Sequence, residues 1–193
     1  RRSSSAASDV YKRQPLFHSA MKNVAPVRRS LGFKTFFNIL GPLVNPCQPK
    51  NQITGVYSLE LARLYGDIFR NTDKNFSVLY SLDGYDEVSL TNEFKLINNK
   101  SEQILDSSYF NLKKLEQNQI EGGYDIASSA KIFMDVLNDN CTEAQKNVIL
   151  ANAALAIKTI SSKKITECLS IARESLESKK ALNSFNKLLS ISK

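Results

Sequence analysis

Three groupings in this sequence combine residue types and spacing that bear on chemistry. The first is the segment from His18 to Arg29, which carries Lys22, Arg28 and Arg29. An arginine guanidinium can hold a planar carboxylate through two parallel hydrogen bonds, which a lysine cannot do. The second is the loop from Gly41-Pro42 to Asn45-Pro46, where two strong turn signals stand close together. The third is the acidic pair Asp86-Glu87, which directly follows an apolar run and a glycine turn. Carboxylates at the carboxyl end of a strand stand where α/β proteins bind ligands. Hard divalent cations such as Mg2+ take oxygen donors and commonly bridge a carboxylate to substrate phosphates. Each grouping also has an ordinary structural use as a surface histidine, a solvated arginine pair or an acidic turn. By residue type alone they support an anionic-ligand site and nothing finer.

The elements that must position these groups follow from apolar spacing. Phe17, Met21 and Val24 share one face of a short helix, which Pro26 stops or from which it opens the next. Thr35 caps the apolar stretch that runs into Gly41-Pro42. Gln52 to Tyr57 is a short strand, and Leu59 to Arg70 repeats its apolar residues at helical spacing. Phe76 to Leu82 reads as a strand buried on both faces, because its apolar run is nearly continuous. Val88 to Ile97 alternates with a period near two and reads as strand. Ile126 to Leu137 and Val148 to Ile160 read as helices, the second opened by a capping box at Thr142 and Gln145. Amphipathic helix with polar breaks continues from Ile165 to Ile191. The fold class is therefore α/β, a sheet flanked by helices with a helical C-terminus.

Composition narrows the function classes. The 193 residues carry 26 Lys+Arg and 19 Asp+Glu, a formal net charge of +7. Apolar residues make up 42%, ordinary for a globular chain, which excludes wholesale disorder. The longest apolar stretch, Val148 to Ile157, is interrupted by Asn152 and falls short of the roughly 18–20 residues that span a bilayer. No membrane partner is expected. One histidine and three widely spaced cysteines (Cys47, Cys141, Cys168) make neither a zinc cluster nor a disulfide framework, which fits a cytoplasmic compartment. The dinucleotide and P-loop fingerprints, the nucleophile elbow and the zinc-protease helix do not occur. In residues 1–14, Arg1, Arg2, Lys12 and Arg13 face only Asp9, so part of the positive charge is terminal. Ser8 to Gln14, SDVYKRQ, resembles a translated sequencing adapter. Residues 1–14 are accordingly expected to be a non-native, disordered tail, and residues 15–193 the native α/β portion.

Taken in order, the segments HSAMKNVAPVRRSLGFKTFFNILGPLVNP, QITGVYS, DGYDEVSLT, EGG and LANAALAI resemble the anthranilate phosphoribosyltransferase family. The resemblance runs from Pro15 to the C-terminus and is densest over residues 18–46. It implies the large α/β domain of the phosphoribosyltransferase and nucleoside-phosphorylase type. The implied activity is Mg2+-assisted transfer of a phosphoribosyl group from phosphoribosyl diphosphate to anthranilate, with diphosphate leaving, in tryptophan biosynthesis. On the same basis, Arg28 corresponds to the anthranilate-binding arginine, His18 and Pro42 line that pocket or its approach, and Asp86 and Glu87 hold the metal. The resemblance also implies a homodimer for the intact parent.

Ser19, Lys34, Tyr124 and the stretch Ile126 to Ser129 depart from the family pattern. The family's glycine-rich G-T-G-G-D loop, its K-x-x-S segment and its N-terminal helical domain have no counterpart in these residues, so the chain is expected to be the C-terminal part of the enzyme. Two other readings stay open. One is a pyrimidine-nucleoside-phosphorylase-type enzyme, and the other is an inactive nucleic-acid-binding relative. Arg28 occurring together with Asp86-Glu87 speaks against nucleic acid as the partner.

Overall fold

The computed structural model describes residues 39–45 and 47–191, and every regular element in it lies in the unit that begins at Lys50. Strand β1 is Asn51–Gly55, helix α1 Leu59–Arg70, β2 Asn75–Ser81, β3 Phe94–Asn98 and β4 Glu102–Leu105. Two short 3-10 turns, Ser107–Phe110 and Gln117–Ile120, lead to the helices. These are α2 (Ile126–Leu137), α3 (Glu143–Thr159), α4 (Ile165–Glu177) and α5 (Lys180–Ile191). The strands form one mixed sheet in the order β1-β2-β3-β4. β1 and β2 run parallel, while β2–β3 and β3–β4 are antiparallel. The parallel pair requires a crossover connection, and α1 supplies it.

Both faces of β2 are covered, which explains its continuous apolar run. Side chains alternate along a strand, so Phe76 and Val78 share one face while Ser77, Leu79 and Ser81 share the other. On the first face lies α1. Its Phe69 ring packs 5.5 Å from that of Phe76, and Gly66 comes against Ile97, the direct cross-strand partner of Val78. On the second face lies α3. The hydroxyls of Ser77 and Thr159 are 2.7 Å apart, and Leu79 shares a buried cluster with Ala151, Ala154 and Leu155. A second cluster joins α2, α3 and α4 through Val136, Leu150, Ala172 and Leu176.

Local signals set the helix ends. Ser58 caps α1 by accepting from the Leu61 N–H at 3.3 Å. The capping box opens α3: the Gln145 N–H donates to Thr142 Oγ1 at 3.2 Å, and the Thr142 N–H donates to Gln145 Oε1 at 3.2 Å. The helix thus begins at Glu143, ahead of the apolar run that starts at Val148.

One expectation changes and another gains its detail. The segment Val88 to Ile97 is strand only from Phe94 onward. Val88 and Leu90 are buried, but in an irregular loop whose Leu90 has φ +62°, so their alternation reflects burial of loop side chains and not a ladder. The helix with polar breaks expected over 165–191 is realised as α4 and α5, with one break where Lys179 adopts φ +62°. The short helix read at Phe17–Val24, the Thr35 cap and the tail 1–14 lie outside the described residues. Among the described residues no helix is long and apolar enough to cross a membrane.

Candidate metal and substrate site

Strand β2 delivers the chain to the acidic pair, and the residues between them fold into a pinned loop. Gly84 sits at φ +93°, a conformation that only glycine adopts without strain. Its N–H donates to the Ser81 carbonyl at 2.9 Å, while the Ser81 N–H donates to the Tyr85 carbonyl at 3.0 Å. The far end of the loop returns to the strand, where the Leu82 N–H donates to the Glu93 carbonyl at 2.9 Å. Asp83 braces the interior. Its carboxylate accepts from the Ser89 hydroxyl at 3.3 Å and also from the Thr91 hydroxyl. Asp83 is therefore a structural acid of the loop.

Asp86 and Glu87 follow, both exposed. Their backbone is held from three elements. From β2, the fully buried Ser81 hydroxyl donates to the Glu87 carbonyl at 2.5 Å. From α3, the Asn152 side chain takes both backbone groups of Val88: Oδ1 accepts from the Val88 N–H at 3.0 Å and Nδ2 donates to the Val88 carbonyl at 2.8 Å. From β1, Gly55 leaves the space that the Asp86 carbonyl occupies, for a Cβ there would stand 1.6 Å from that oxygen.

The electrostatics of the pair are those of neighbouring acids. Burial against the loop, a hydrogen bond with Asp86 and the Asp86 charge push the Glu87 carboxyl up from 4.5 to about 7. Although Glu87 is exposed as a residue, its carboxyl is turned toward Asp86 and loses part of its hydration. Among the described residues neither acid forms an ion pair with a lysine or arginine. Two adjacent oxygen donors without a protein cation suit Mg2+, which binds through one or two carboxylates together with substrate phosphates. Among the described residues no group of three or more His, Cys, Asp or Glu could hold a metal, so these side chains do not form an all-protein cage.

The remaining expected site residues are placed as follows. Pro42 is half-buried in a turn where the Leu43 and Val44 N–H groups donate to the Leu40 carbonyl at 2.9 and 3.0 Å. In the same loop Asn45 Oδ1 accepts from the Cys47 N–H at 3.0 Å. His18 and Arg28 lie outside the described residues. Three residues that shape the acidic loop were not expected from the sequence: Asp83, Gly55 and Asn152. The signals existed in part, since a glycine inside a strand marks a close backbone approach and an amide inside an apolar helix needs a partner.

Comparisons with known proteins agree with this architecture. Residues 10–182 match the family described as glycosyl transferase family, a/b domain. An anthranilate phosphoribosyltransferase of Christiangramia forsetii is 55% identical over 178 residues, covering 92% of this chain and 54% of that protein. One from Bacteroides thetaiotaomicron is 44% identical over 192 residues, covering 99% of this chain and 58% of its own length. The chain thus spans about half the length of the curated relatives it matches. Among solved structures, the Saccharomyces cerevisiae enzyme in complex with PRPP and Mg superposes with a TM-score of 0.77 at 29% identity, covering 88% of this chain and 49% of that one. The same enzyme with 4-fluoroanthranilate gives 0.79 at 29% identity, covering 90% and 52%. With the family match extending over most of its length and the mixed α/β sheet in place, this chain belongs to the glycosyl transferase family, whose a/b domain it carries.

Proposed function

We propose that this chain is the C-terminal portion of an anthranilate phosphoribosyltransferase, which moves a phosphoribosyl group from phosphoribosyl diphosphate to the amino group of anthranilate and releases diphosphate. The observation that carries the reading is the Asp86-Glu87 pair, held without a cation partner among the described residues on a pinned loop at the carboxyl end of β2. The in-register motifs over residues 18–46 and the similarity to enzymes of that name support the choice of acceptor.

In this reading Asp86 and Glu87 would hold Mg2+, which would supply positive charge to offset that growing on the departing diphosphate. Ser81 and Asn152 keep the loop backbone in place, so the carboxylates need little rearrangement to meet the ion. Arg28 neutralises and orients the anthranilate carboxylate, with His18 and Pro42 lining the approach. The anomeric carbon passes through an oxocarbenium-like state as its bond to the diphosphate oxygen breaks and its bond to the amine nitrogen forms. The amine proton leaves to solvent or diphosphate. Anthranilate's amine is already nucleophilic, so holding it in line can supply much of the acceleration.

The test is a steady-state assay on the full-length protein, following anthranilate consumption with and without Mg2+. Changing Asp86 to Asn together with Glu87 to Gln should cut Mg2+-dependent turnover by at least about 100-fold, since both charged donors are removed. Unchanged turnover would remove the metal role from these residues. Phosphorolysis of a pyrimidine nucleoside with no use of anthranilate would favour the nucleoside-phosphorylase reading instead.

A further inference from the structure

We propose that Asn152 is a positioning residue for the Asp86-Glu87 cation site, acting through the backbone of Val88, directly after Glu87. The inference rests on the metal role given to that pair above. A peptide unit is planar, so fixing its oxygen and its N–H fixes the whole plane. The unit joining Glu87 to Val88 is gripped at both ends. Its carbonyl accepts from Ser81 Oγ at 2.5 Å and its N–H donates to Asn152 Oδ1 at 3.0 Å. Asn152 Nδ2 then secures the next carbonyl, that of Val88, at 2.8 Å. On the other side, the unit joining Asp86 to Glu87 packs its carbonyl into the space above Gly55. The peptide plane after Glu87 is therefore set by strand β2 and helix α3, and the carbonyl before Glu87 is confined against strand β1.

This frame opposes a specific force. Two carboxylates side by side repel once both are ionised, and a slack loop would relieve the repulsion by turning one of them away. The Val88 backbone groups have no ladder partner, because the segment after Glu87 is irregular and leaves β3 to begin at Phe94. Asn152 replaces that missing ladder from 64 positions away in the chain. It is half-buried in an otherwise apolar helix run, and its amide also donates to the Val148 carbonyl at 2.9 Å. An alanine would pack in the helix at least as well, so the amide's contribution lies in what it holds.

The experiment measures Mn2+ binding to the full-length protein by electron paramagnetic resonance, with inorganic diphosphate present, alongside the Mg2+ and anthranilate dependence of turnover. Asn152→Ala is expected to weaken Mn2+ binding about 10- to 100-fold, as removal of a group that orients a metal ligand does. The Mg2+ concentration for half-maximal turnover should rise in proportion while the KM for anthranilate stays put. Ser77→Ala removes a different contact between β2 and the same helix, the 2.7 Å pairing with Thr159, and serves as the structural control. It should lower thermal stability and leave the Mn2+ constant unchanged. If Asn152→Ala does not fold, Asn152→Ser decides by the same criterion, because its short side chain cannot span both Val88 groups. A folded Asn152 variant that binds Mn2+ as tightly as wild type overturns the positioning role and leaves the cation site standing. Equal weakening in Ser77→Ala overturns it too, by showing a general loss of stability. Wild-type protein that binds no Mn2+ removes the cation site itself and this inference with it.

Discussion

At Glu87 several effects act in the same direction. Desolvation and the Asp86 charge both favour the protonated acid, and nothing described nearby compensates its ionised form with a positive charge. Its folded pKa of about 7 lies above the ordinary 4.5, so between those values the folded chain holds a proton that the unfolded chain has released. The contribution to stability is therefore fully present below about pH 4.5 and is lost as pH rises toward 7. Glu87→Gln keeps the shape and removes the titration. The variant's melting temperature should gain on wild type as pH goes from 4.5 to 7 and hold that gain above it. A difference that does not vary with pH would show that Glu87 carries no such penalty. Asp83 offers a contrast within the same loop, because its carboxylate is occupied by the Ser89 and Thr91 hydroxyls. Carboxylates only a few residues apart thus differ in role, one bracing the loop and two facing outward.

At the scale of elements, helix α1 shows which force prevails when propensity and packing disagree. Gly66 lies mid-helix, where replacement by alanine ordinarily adds up to about 1 kcal/mol of stability. Here an added Cβ would lie 2.8 Å from Cγ2 of Ile97, a fully buried residue of β3. Overpacking of that kind costs about 1–3 kcal/mol, so Gly66→Ala should be destabilising on balance. A urea midpoint that moves upward would mean α1 can shift away from the sheet. The apolar spacing of α1, α2 and α3 and the capping box of α3 were legible in the sequence because both depend on neighbours within a turn or two. The start of the strand expected over Val88–Ile97 was not, since burial of Val88 and Leu90 in a loop gives the same alternation as a half-buried strand.

For the whole molecule, the formal charge of +7 suggests a polyanion as partner, yet the reading favoured here needs charge only at particular points. Arg28 is the test of that view. In the full-length protein, Arg28→Ala should raise the KM for anthranilate at least about 10-fold, the loss of one charge-assisted hydrogen-bonded pair, and leave that for phosphoribosyl diphosphate nearly unchanged. Equal increases in both constants would count against a carboxylate-binding role. The 193-residue chain alone is expected to release no diphosphate in response to anthranilate. Backbone N–H groups of a glycine-rich loop provide much of the fixed anion binding in phosphate sites, and these residues contain no such loop. Measurable release by the purified chain would mean that the diphosphate is held by other groups.

Family, fold class and the acidic pair were readable from the chain by itself, because each is written in residues close together: a long motif, capped helices, an apolar strand ending in a glycine turn. Tertiary structure alone decided what surrounds the pair. Asn152 and Val88 stand 64 positions apart, and Gly55 meets Asp86 only once β1 lies beside β2. Hydrophobic periodicity reports which face of an element is buried and is silent about which backbone groups lack a partner there. In this chain those orphaned groups are the ones beside Glu87, and the fold answers them with an amide from a distant helix.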